Sequence, residues 1–290
     1  MPEARGSTGG SPTLRRRELG ALLRVLRNEQ GLTVEQVAFE LLCSPSKVSR
    51  METGQRGATA RDIRDLCRLY GVTDPAEQDR LMTLAKEGKQ QGWWQSFAVP
   101  LPHMTYVGLE QDATVMSIFQ SSVVPGLLQT GDYTRAIHRN GIPRLDDSAI
   151  EERVQERFKR RQVLTREMPP RVDVMLDEAV LRRPLGGPST MRDQLTQLIA
   201  ETERENVTIR VLPYKIGAHP ALESNFTVLE FESQAPTVVY VEGLVGQIYL
   251  EKQQDVERYM LVLELLHGMA LSPQDSTALI AGVRDTYTSG

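Results

Sequence analysis

The amino-acid sequence has very little cysteine: only Cys43 and Cys67 occur among its 290 residues. Two thiols cannot form a disulfide framework or a four-cysteine zinc site, so we expect both to be reduced core residues. The sequence also lacks an apolar run of the roughly 18 residues that a membrane span needs, and residues 1–12 lack the apolar core of a signal peptide. These absences predict a cytoplasmic protein without a membrane partner.

Histidine is also scarce, and its positions do not follow the spacing of a metal site. The four residues are His103, His138, His219 and His267. We therefore expect no cofactor and no enzyme activity. One catalytic alternative stays open, in which His219 works with Glu223 or Glu178.

The charge is unevenly distributed along the chain. The whole sequence has a net charge of -4, so the molecule is not a polycation that would bind any nucleic acid. Residues 13–70 contain eleven basic and seven acidic side chains, a balance of +4, whereas the other 232 residues sum to -8. Any attraction for phosphate should therefore be concentrated near the N-terminus.

Length and periodicity predict two domains of different class. We expect a flexible tail at residues 1–12, a five-helix bundle at 13–88, a linker at 89–108 and an α+β domain at 109–285. In the last region the pattern predicts helices at about 109–166, 189–204 and 252–269, and strands at 171–176, 207–213, 226–231, 237–241 and 247–250. The fold class is thus a mainly α helix-turn-helix bundle followed by an α+β domain whose sheet is partly covered by helices.

The linker contains a tryptophan pair, Trp93 and Trp94. Because exposing two indoles is costly, we expect this segment to pack on the second domain or on a partner subunit. Stacking on nucleic-acid bases is the less favoured alternative.

The most informative stretch is residues 33–54, whose pattern is that of a helix-turn-helix. Ala38 is the small residue at which the second helix can cross the first, and Val48 and Met51 are inward positions of the second helix. Thr33 with Gln36 predicts a capping box, and Ser44 followed by Pro45 predicts the next helix start.

Helix-turn-helix geometry then assigns roles to the exposed polar residues. The second helix would enter the major groove of DNA, and Arg50 is the best candidate to bridge O6 and N7 of guanine. The predicted base-contacting residues are Ser46, Lys47, Ser49 and Arg50. The predicted contacts to the DNA backbone are Thr33, Val34, Gln36, Ser44 and Arg56.

Residues 33–54 resemble the XRE/Cro-type helix-turn-helix, above all in the segment SPSKVSRMETG. The following domain resembles the C-terminal domain of WhiJ-like actinobacterial regulators, in the segments GWW at 92–94, GLE at 108–110, VPGLLQT at 124–130, VYVE at 239–242 and ALSP at 270–273. The resemblance implies a DNA-binding regulator of development or secondary metabolism. It also implies a small partner protein encoded nearby, since some such pairs are described as antitoxin-like and toxin-like.

One residue departs from the family pattern. Leu42 occupies the turn position usually filled by glycine, and left-handed geometry costs a non-glycine residue about 1–2 kcal/mol. The first motif helix is therefore expected either to run on or to end in a different turn.

Several hypotheses remain open on the sequence alone. The motif could be a plain helical hairpin in a protein-docking adaptor. Arg15, Arg16 and Arg17 could form an arm that reaches DNA or a solvated helix start, whereas Arg61, Arg64 and Arg68 favour a surface salt-bridge face with Asp62 and Asp65. We expect a homodimer on a palindromic operator. The second domain would join protomers, bind a partner or sense a small molecule.

Overall fold

The computed structural model describes residues 10–97, 101–233, 235–243 and 246–287. Contacts within the chain divide it into two units. The first contains residues up to Gln95 together with Thr105–Asp112 and Phe231–Pro236, and the second contains Ser96–Met104, Ala113–Glu230 and the chain from Thr237 onwards. The N-terminal unit is thus assembled from three separate segments of the sequence.

The first unit is built on the five predicted helices. They are α1 (Pro12–Glu29), α2 (Val34–Glu40), α3 (Pro45–Glu52), α4 (Ala60–Leu69) and α5 (Pro75–Glu87). Leu23, Val37, Val48, Ile63 and Leu81 are buried in one shared core. The apolar residues at helical spacing therefore do face one another, as the periodicity predicts.

Helix α1 starts within the region predicted to be a flexible tail. The Ser11 hydroxyl accepts a hydrogen bond from the Leu14 amide at 3.2 Å and donates one to the Gly108 carbonyl at 2.6 Å. The Ser11 amide donates to Asp112 Oδ2 at 2.5 Å. Ser11 is consequently an anchored helix cap, while residues 1–9 of the predicted tail lie outside the described residues.

The predicted linker also carries regular structure. A 3₁₀ turn occupies Trp93–Ser96, and helix α6 runs over Leu101–Glu110, while residues 98–100 lie outside the described part of the chain. Trp94 is buried, and a Cβ atom added at Gly108 would lie 2.9 Å from its ring. Trp94 therefore packs within the first unit, against residues 105–112, whereas the sequence predicts packing on the second domain or on a partner subunit.

The second unit contains a six-stranded mixed sheet. Its strands are β1 (Val115–Gln120), β2 (Arg171–Asp177), β3 (Val207–Leu212), β4 (Phe226–Glu230), β5 (Val238–Gly243) and β6 (Gly246–Leu250), in the spatial order β3-β2-β1-β4-β5-β6. Strands β1, β2 and β3 are parallel, whereas β4, β5 and β6 continue the sheet in antiparallel fashion. Five of these strands match the prediction.

The prediction of helices throughout 109–166 is wrong at Val115–Gln120, which form strand β1. Its residues Met116, Ile118 and Phe119 are buried at the centre of the sheet, paired with β2 on one side and β4 on the other. A short apolar run that is buried on both faces has no alternation, so its periodicity does not distinguish it from a buried helix.

Among the described residues, six helices lie wholly within the second unit. They are α7 (Gly131–Arg139), α8 (Asp147–Arg161), α9 (Glu178–Arg182), α10 (Pro188–Glu201), α11 (Gln253–Met269) and α12 (Pro273–Thr286). Leu263 and Leu266 of α11 pack with Phe226 and Val239 of the sheet. The fold class is therefore the predicted one, a helix-turn-helix bundle with a mixed α and β unit.

Candidate nucleic-acid interface

Helix α3 presents a row of exposed polar side chains on a short, well-capped rod. The Ser44 hydroxyl accepts from the Lys47 amide at 3.2 Å, and Pro45 stands at the first helical position. Ser46, Ser49 and Arg50 are exposed, and Arg50 Nε donates to the Ser46 carbonyl at 3.2 Å. Because the opposite face is buried through Val48 and Met51, the exposed row has a fixed orientation.

Lys47 differs from the other predicted base-contacting residues. Its Nζ lies 2.5 Å from Asp62 Oδ1, and Asp62 also accepts from the amide and hydroxyl of Thr59 at the start of α4. Burial alone would raise the pKa of Asp62, but the hydrogen bonds from Lys47 and Thr59 outweigh it and hold that pKa below its ordinary value. Lys47 thus ties α3 to α4. Asp62 is buried and is not part of the predicted surface salt-bridge face.

A buried ion pair fixes the C-terminal end of α3 to α1. Arg27 Nε lies 2.7 Å from Glu52 Oε1, and a second guanidinium nitrogen donates to Glu52 Oε2 at 3.0 Å. The third nitrogen of Arg27 donates to the Leu32 carbonyl, in the loop before α2, at 2.8 Å. The hydrogen bond to Glu52 raises the pKa of Arg27, so the guanidinium keeps its charge throughout the physiological pH range.

Gly20 permits the close crossing of α1 and α3. A Cβ atom at this position would lie 2.5 Å from the Glu52 carbonyl oxygen and 2.6 Å from that of Met51. No real Cβ contact is that short, so any other residue would push α3 away. The sequence did not predict these roles for Gly20, Arg27 and Glu52, and the only local signal was a glycine among the leucines of α1.

The turn between α2 and α3 keeps the left-handed geometry despite its leucine. Leu42 has φ +50° and is the only non-glycine residue with positive φ among the described residues. The Cys43 amide donates to the Ala38 carbonyl at 2.9 Å and the Leu42 amide to that of Phe39 at 3.1 Å, the pair of bonds that defines a Schellman motif. The expectation that α2 runs on or ends in a different turn is therefore wrong.

The start of α2 forms the predicted capping box. The Thr33 hydroxyl accepts from the Gln36 amide at 3.2 Å, and Gln36 Oε1 accepts from the Thr33 amide at 2.8 Å. These bonds occupy two of the amide groups that we expected to face phosphate. Val34 is half-buried and packs against the core of the first unit.

Arg56 is exposed in the loop after α3, where its amide donates to the Arg50 carbonyl at 2.9 Å. Gly54 begins this loop with φ +66°, and a Cβ atom there would lie 2.7–2.9 Å from Arg17. The backbone of the loop is therefore set by close packing on α1, which places Arg56 next to the end of the exposed row.

Several other arginines of the first unit contact groups within the fold. Arg15 contacts Glu18 at 2.8 Å, and Arg16 donates to the Gly88 carbonyl at 3.2 Å. These contacts favour a helix start over a free arm. Asp65 lies 3.7 Å from Arg61 and 3.9 Å from Arg68, which matches a surface salt-bridge face.

The catalytic alternative pairs His219 of the second unit with Glu223 or Glu178. His219 is buried, its Nδ1 accepts from the Ala221 amide at 3.3 Å, and its Nε2 lies 3.4 Å from Asp177. Glu178 accepts from Arg182 at 2.6 Å and from the Tyr214 amide at 2.9 Å. Within the described part of the chain, no hydrogen bond or ion pair joins His219 to Glu178 or Glu223.

A buried charge cluster lies between α6 and α8. Glu156 is fully buried, and its carboxylate contacts His103 Nε2 at 3.0 Å, Arg157 at 3.1 Å and Arg160 at 3.4 Å. Burial lowers the pKa of His103 to about 4, because the bond to Glu156 only partly offsets it and Arg160 adds repulsion. Although burial opposes it, the neighbouring cations hold the pKa of Glu156 well below its usual range.

A cavity of about 310 Å³ opens beside the start of α11. Phe226 and Tyr259 line it with their rings 4.8 Å apart, and Asp255 and Arg258 stand at the same site. Within the described ranges, no group of three or more His, Cys, Asp or Glu side chains could hold a metal ion. Nor is any helix of that part of the chain long and apolar enough to span a membrane.

Two capped helices joined by a tight turn, with an exposed polar face on the second, define a helix-turn-helix domain. The family described as "Helix-turn-helix domain" matches residues 18–81, which indicates a DNA-binding transcription regulator. The chain belongs to the family described as "Domain of unknown function (DUF5753)", which matches residues 103–282. Comparisons with curated proteins and with solved structures found no match.

Proposed function

We propose that this protein is a sequence-specific transcriptional regulator of the XRE type, which places α3 in the major groove of its operator. The observation that carries the proposal is the exposed row of Ser46, Ser49 and Arg50 on α3, whose opposite face is buried in the core through Val48 and Met51. A reading helix must present its polar edge in one orientation, because base discrimination depends on hydrogen-bond geometry. Arg50 is the guanine-reading residue in this proposal.

Contacts to the DNA backbone would position α3 in the groove. Arg56, exposed beside α3, supplies a phosphate contact in this proposal, and the Val34 amide at the start of α2 and the Ser44 hydroxyl supply two more. The capping-box bonds of Thr33 and Gln36 hold the start of α2 in place for this contact. Lys47 is left out of the base-reading set, since its ammonium group is 2.5 Å from Asp62. Its role in the proposal is to position α3.

The regulator acts as a homodimer, since one short helix reads too few base pairs and a two-fold protein matches a palindromic operator. The second unit joins the protomers and docks a small partner protein, as in the antitoxin-like pairs of the WhiJ-like regulators that the sequence resembles. We assign this unit no catalytic role, because His219 is buried and its ring nitrogens face Ala221 and Asp177.

A ligand-sensing role for the second unit is the other candidate, and the cavity beside α11 favours it. Its volume of about 310 Å³ is at the lower end of the range of small-molecule sites. Aromatic walls with one carboxylate and one guanidinium would suit a zwitterionic molecule that also has an apolar part. A thermal-shift screen of zwitterionic metabolites tests this role, and the absence of any stabilising compound counts against it.

The DNA-binding proposal is tested by selecting bound fragments from a random duplex library with the purified full-length protein. We expect an enriched palindromic motif whose half-sites are about 10 base pairs apart or a multiple of this. A control selection with the Arg50→Ala variant should lose preference at one position of each half-site. Weak and indiscriminate binding by the unmodified protein would instead make the molecule a protein-docking adaptor.

A further inference from the structure

The cavity beside α11 is enclosed by three parts of the second unit: residues 220–226, the end of β6 and the N-terminal half of α11. Its apolar lining residues lie in one core cluster or pack against it, namely Ala221, Phe226, Leu250, Tyr259 and Val262. Because packing elsewhere in the core holds these side chains in place, the cavity is largely formed before any ligand binds.

Two opposite charges, Asp255 and Arg258, line the same cavity. They stand three residues apart on α11, a spacing at which an acid and a base on one helix commonly attract each other. Here they do not form an ion pair, and among the described residues neither side chain has another hydrogen-bond or ion-pair partner. Arg258 is exposed and Asp255 is half-buried, so both charges are accessible to a ligand.

Two hydroxyl groups add hydrogen-bonding capacity to the cavity. Ser224 and Tyr259 line it, and within the described ranges neither hydroxyl has a hydrogen-bond partner. The Tyr259 ring also packs against Phe226, with the ring planes inclined at 68°. The lining is therefore mainly apolar with a few polar groups beside it, which is the composition typical of a small-molecule site.

The spacing of the two charges restricts the ligand. Residues three apart on a helix have Cβ atoms about 5–6 Å apart, so a ligand that bridges Asp255 and Arg258 must carry its cation close to its anion. An ammonium group and a carboxylate on one carbon atom meet this condition, whereas a dipeptide separates them by a further residue. The volume of about 310 Å³ leaves room for an apolar side chain but not for a dinucleotide cofactor.

We propose that this cavity binds a free α-amino acid with a large apolar side chain. Arg258 donates to its carboxylate, Asp255 accepts from its ammonium group, and its side chain packs against Phe226 and Tyr259. An arginine suits this role, because a guanidinium binds a carboxylate through two parallel hydrogen bonds. The inference rests on the ligand-sensing role considered above and names the ligand class and the residues that recognise it.

Titration calorimetry and thermal unfolding of the full-length protein test the ligand class, with L-phenylalanine and L-leucine as probes. Saturable binding and a rise in melting temperature are expected for at least one of them. Three analogues each lack one recognised group: phenethylamine lacks the carboxylate, hydrocinnamate lacks the ammonium group, and glycine lacks the side chain. Each analogue should bind about tenfold more weakly or worse, since it leaves a charge or the apolar wall of the cavity without its partner.

Two variants locate the site. Asp255→Asn should weaken binding of the amino acid about tenfold and leave hydrocinnamate unaffected, because that analogue has no ammonium group to lose a contact. Arg258→Gln should likewise weaken the amino acid and leave phenethylamine unaffected. The matched controls are Glu264→Gln and Arg192→Gln, which remove exposed charges outside the cavity and should change nothing. Circular dichroism without ligand verifies that each variant is folded.

The outcomes separate this inference from the proposed DNA-binding function. The inference is wrong if neither amino acid binds, if an analogue binds as tightly as L-phenylalanine, or if Asp255→Asn and Arg258→Gln bind the amino acid as the unmodified protein does. The crossed pattern of analogues and variants supports it directly. A protein that selects a DNA motif but binds no amino acid keeps the regulator proposal alone, whereas amino-acid binding without a selected motif keeps only the cavity.

Discussion

Arg27 and Glu52 join the first and third helices through two parallel hydrogen bonds of 2.7 and 3.0 Å between guanidinium and carboxylate. The Glu52 side chain is 7% exposed, so its carboxylate has little contact with solvent and its charge is compensated mainly by the arginine. The helix that carries the proposed base-reading residues is thus held by a charge pair that sequence spacing did not reveal.

Replacing Arg27 by Ala should lower the free energy of unfolding by about 3 kcal/mol, because it leaves a buried carboxylate without its partner. Urea denaturation measures the change. Arg61→Ala is the matched control, since its ion pair with Asp65 is exposed and should contribute less than about 1 kcal/mol. Equal losses in both variants would show that burial of the Arg27 pair has no special effect.

Replacing Leu42 by Gly should stabilise the protein by about 0.5–1 kcal/mol, as relief of left-handed strain exceeds the entropy cost of glycine. Leu42 is 92% exposed, so little packing is lost. Thermal unfolding gives the sign of the effect. Leu42→Ala removes the same exposed side chain but keeps the strain, and a gain as large as that of the glycine variant would contradict the explanation.

Replacing Ser11 by Ala should cost about 1–2 kcal/mol, since the hydroxyl caps α1 and also donates to the Gly108 carbonyl. Melting temperatures provide the comparison. Ser46→Ala, at an exposed serine of α3, should change stability much less. If the two variants have the same melting temperature, Ser11 does not anchor the start of α1.

Replacing Arg50 by Ala should relax preference at one base pair of each half-site, at a cost of about 1–3 kcal/mol for the cognate sequence alone. Replacing Arg56 by Ala should weaken all sequences alike and reduce the salt slope by about one. Fluorescence anisotropy with cognate and scrambled duplexes at several salt concentrations distinguishes the two. Unchanged sequence preference in the Arg50 variant would refute its role as base reader.

Acid should destabilise the second unit between pH 6.5 and about 4. Burial lowers the pKa of both His103 and His138 to about 4, so over this range the unfolded chain binds two protons that the folded chain does not. By linkage, stability then falls with falling pH by about 1.4 kcal/mol per pH unit for each proton. The free energy of unfolding in urea, measured across this range, gives the slope.

Substituting the two histidines shows whether they cause this dependence of the free energy of unfolding on pH. His103→Gln keeps a donor for Glu156 and removes one titrating group, so the slope should decrease by about one proton, and the further change His138→Gln should remove a second. A slope that is unaffected in the double variant would show that other groups cause the acid sensitivity.

The local features of the N-terminal unit were predictable because they depend on neighbouring residues. The Thr33–Gln36 capping box and the Ser44–Pro45 helix start each need only a few residues to form, and both are present. Similarly, five strands of the second unit combine β-branched residues with turn signals at their ends. These are the features on which sequence periodicity carries information.

The features that the sequence did not predict depend on residues far apart in the chain. The partner of Lys47 is 15 residues away, and Ser11 contacts Gly108 97 residues further on. Leu42 keeps its strained conformation because the core on either side of the turn imposes it, which outweighs the local preference. No window of sequence contains this information.

The assembly of the N-terminal unit from three segments has a practical consequence for dissecting the protein. A gene fragment that ends after α5 would omit both Trp94 and residues 105–112, which include the hydrogen-bond partners of Ser11. We therefore expect such a fragment to be less stable than the same unit in the full-length protein. In the full chain this unit is complete only after residues 105–112 have been synthesised.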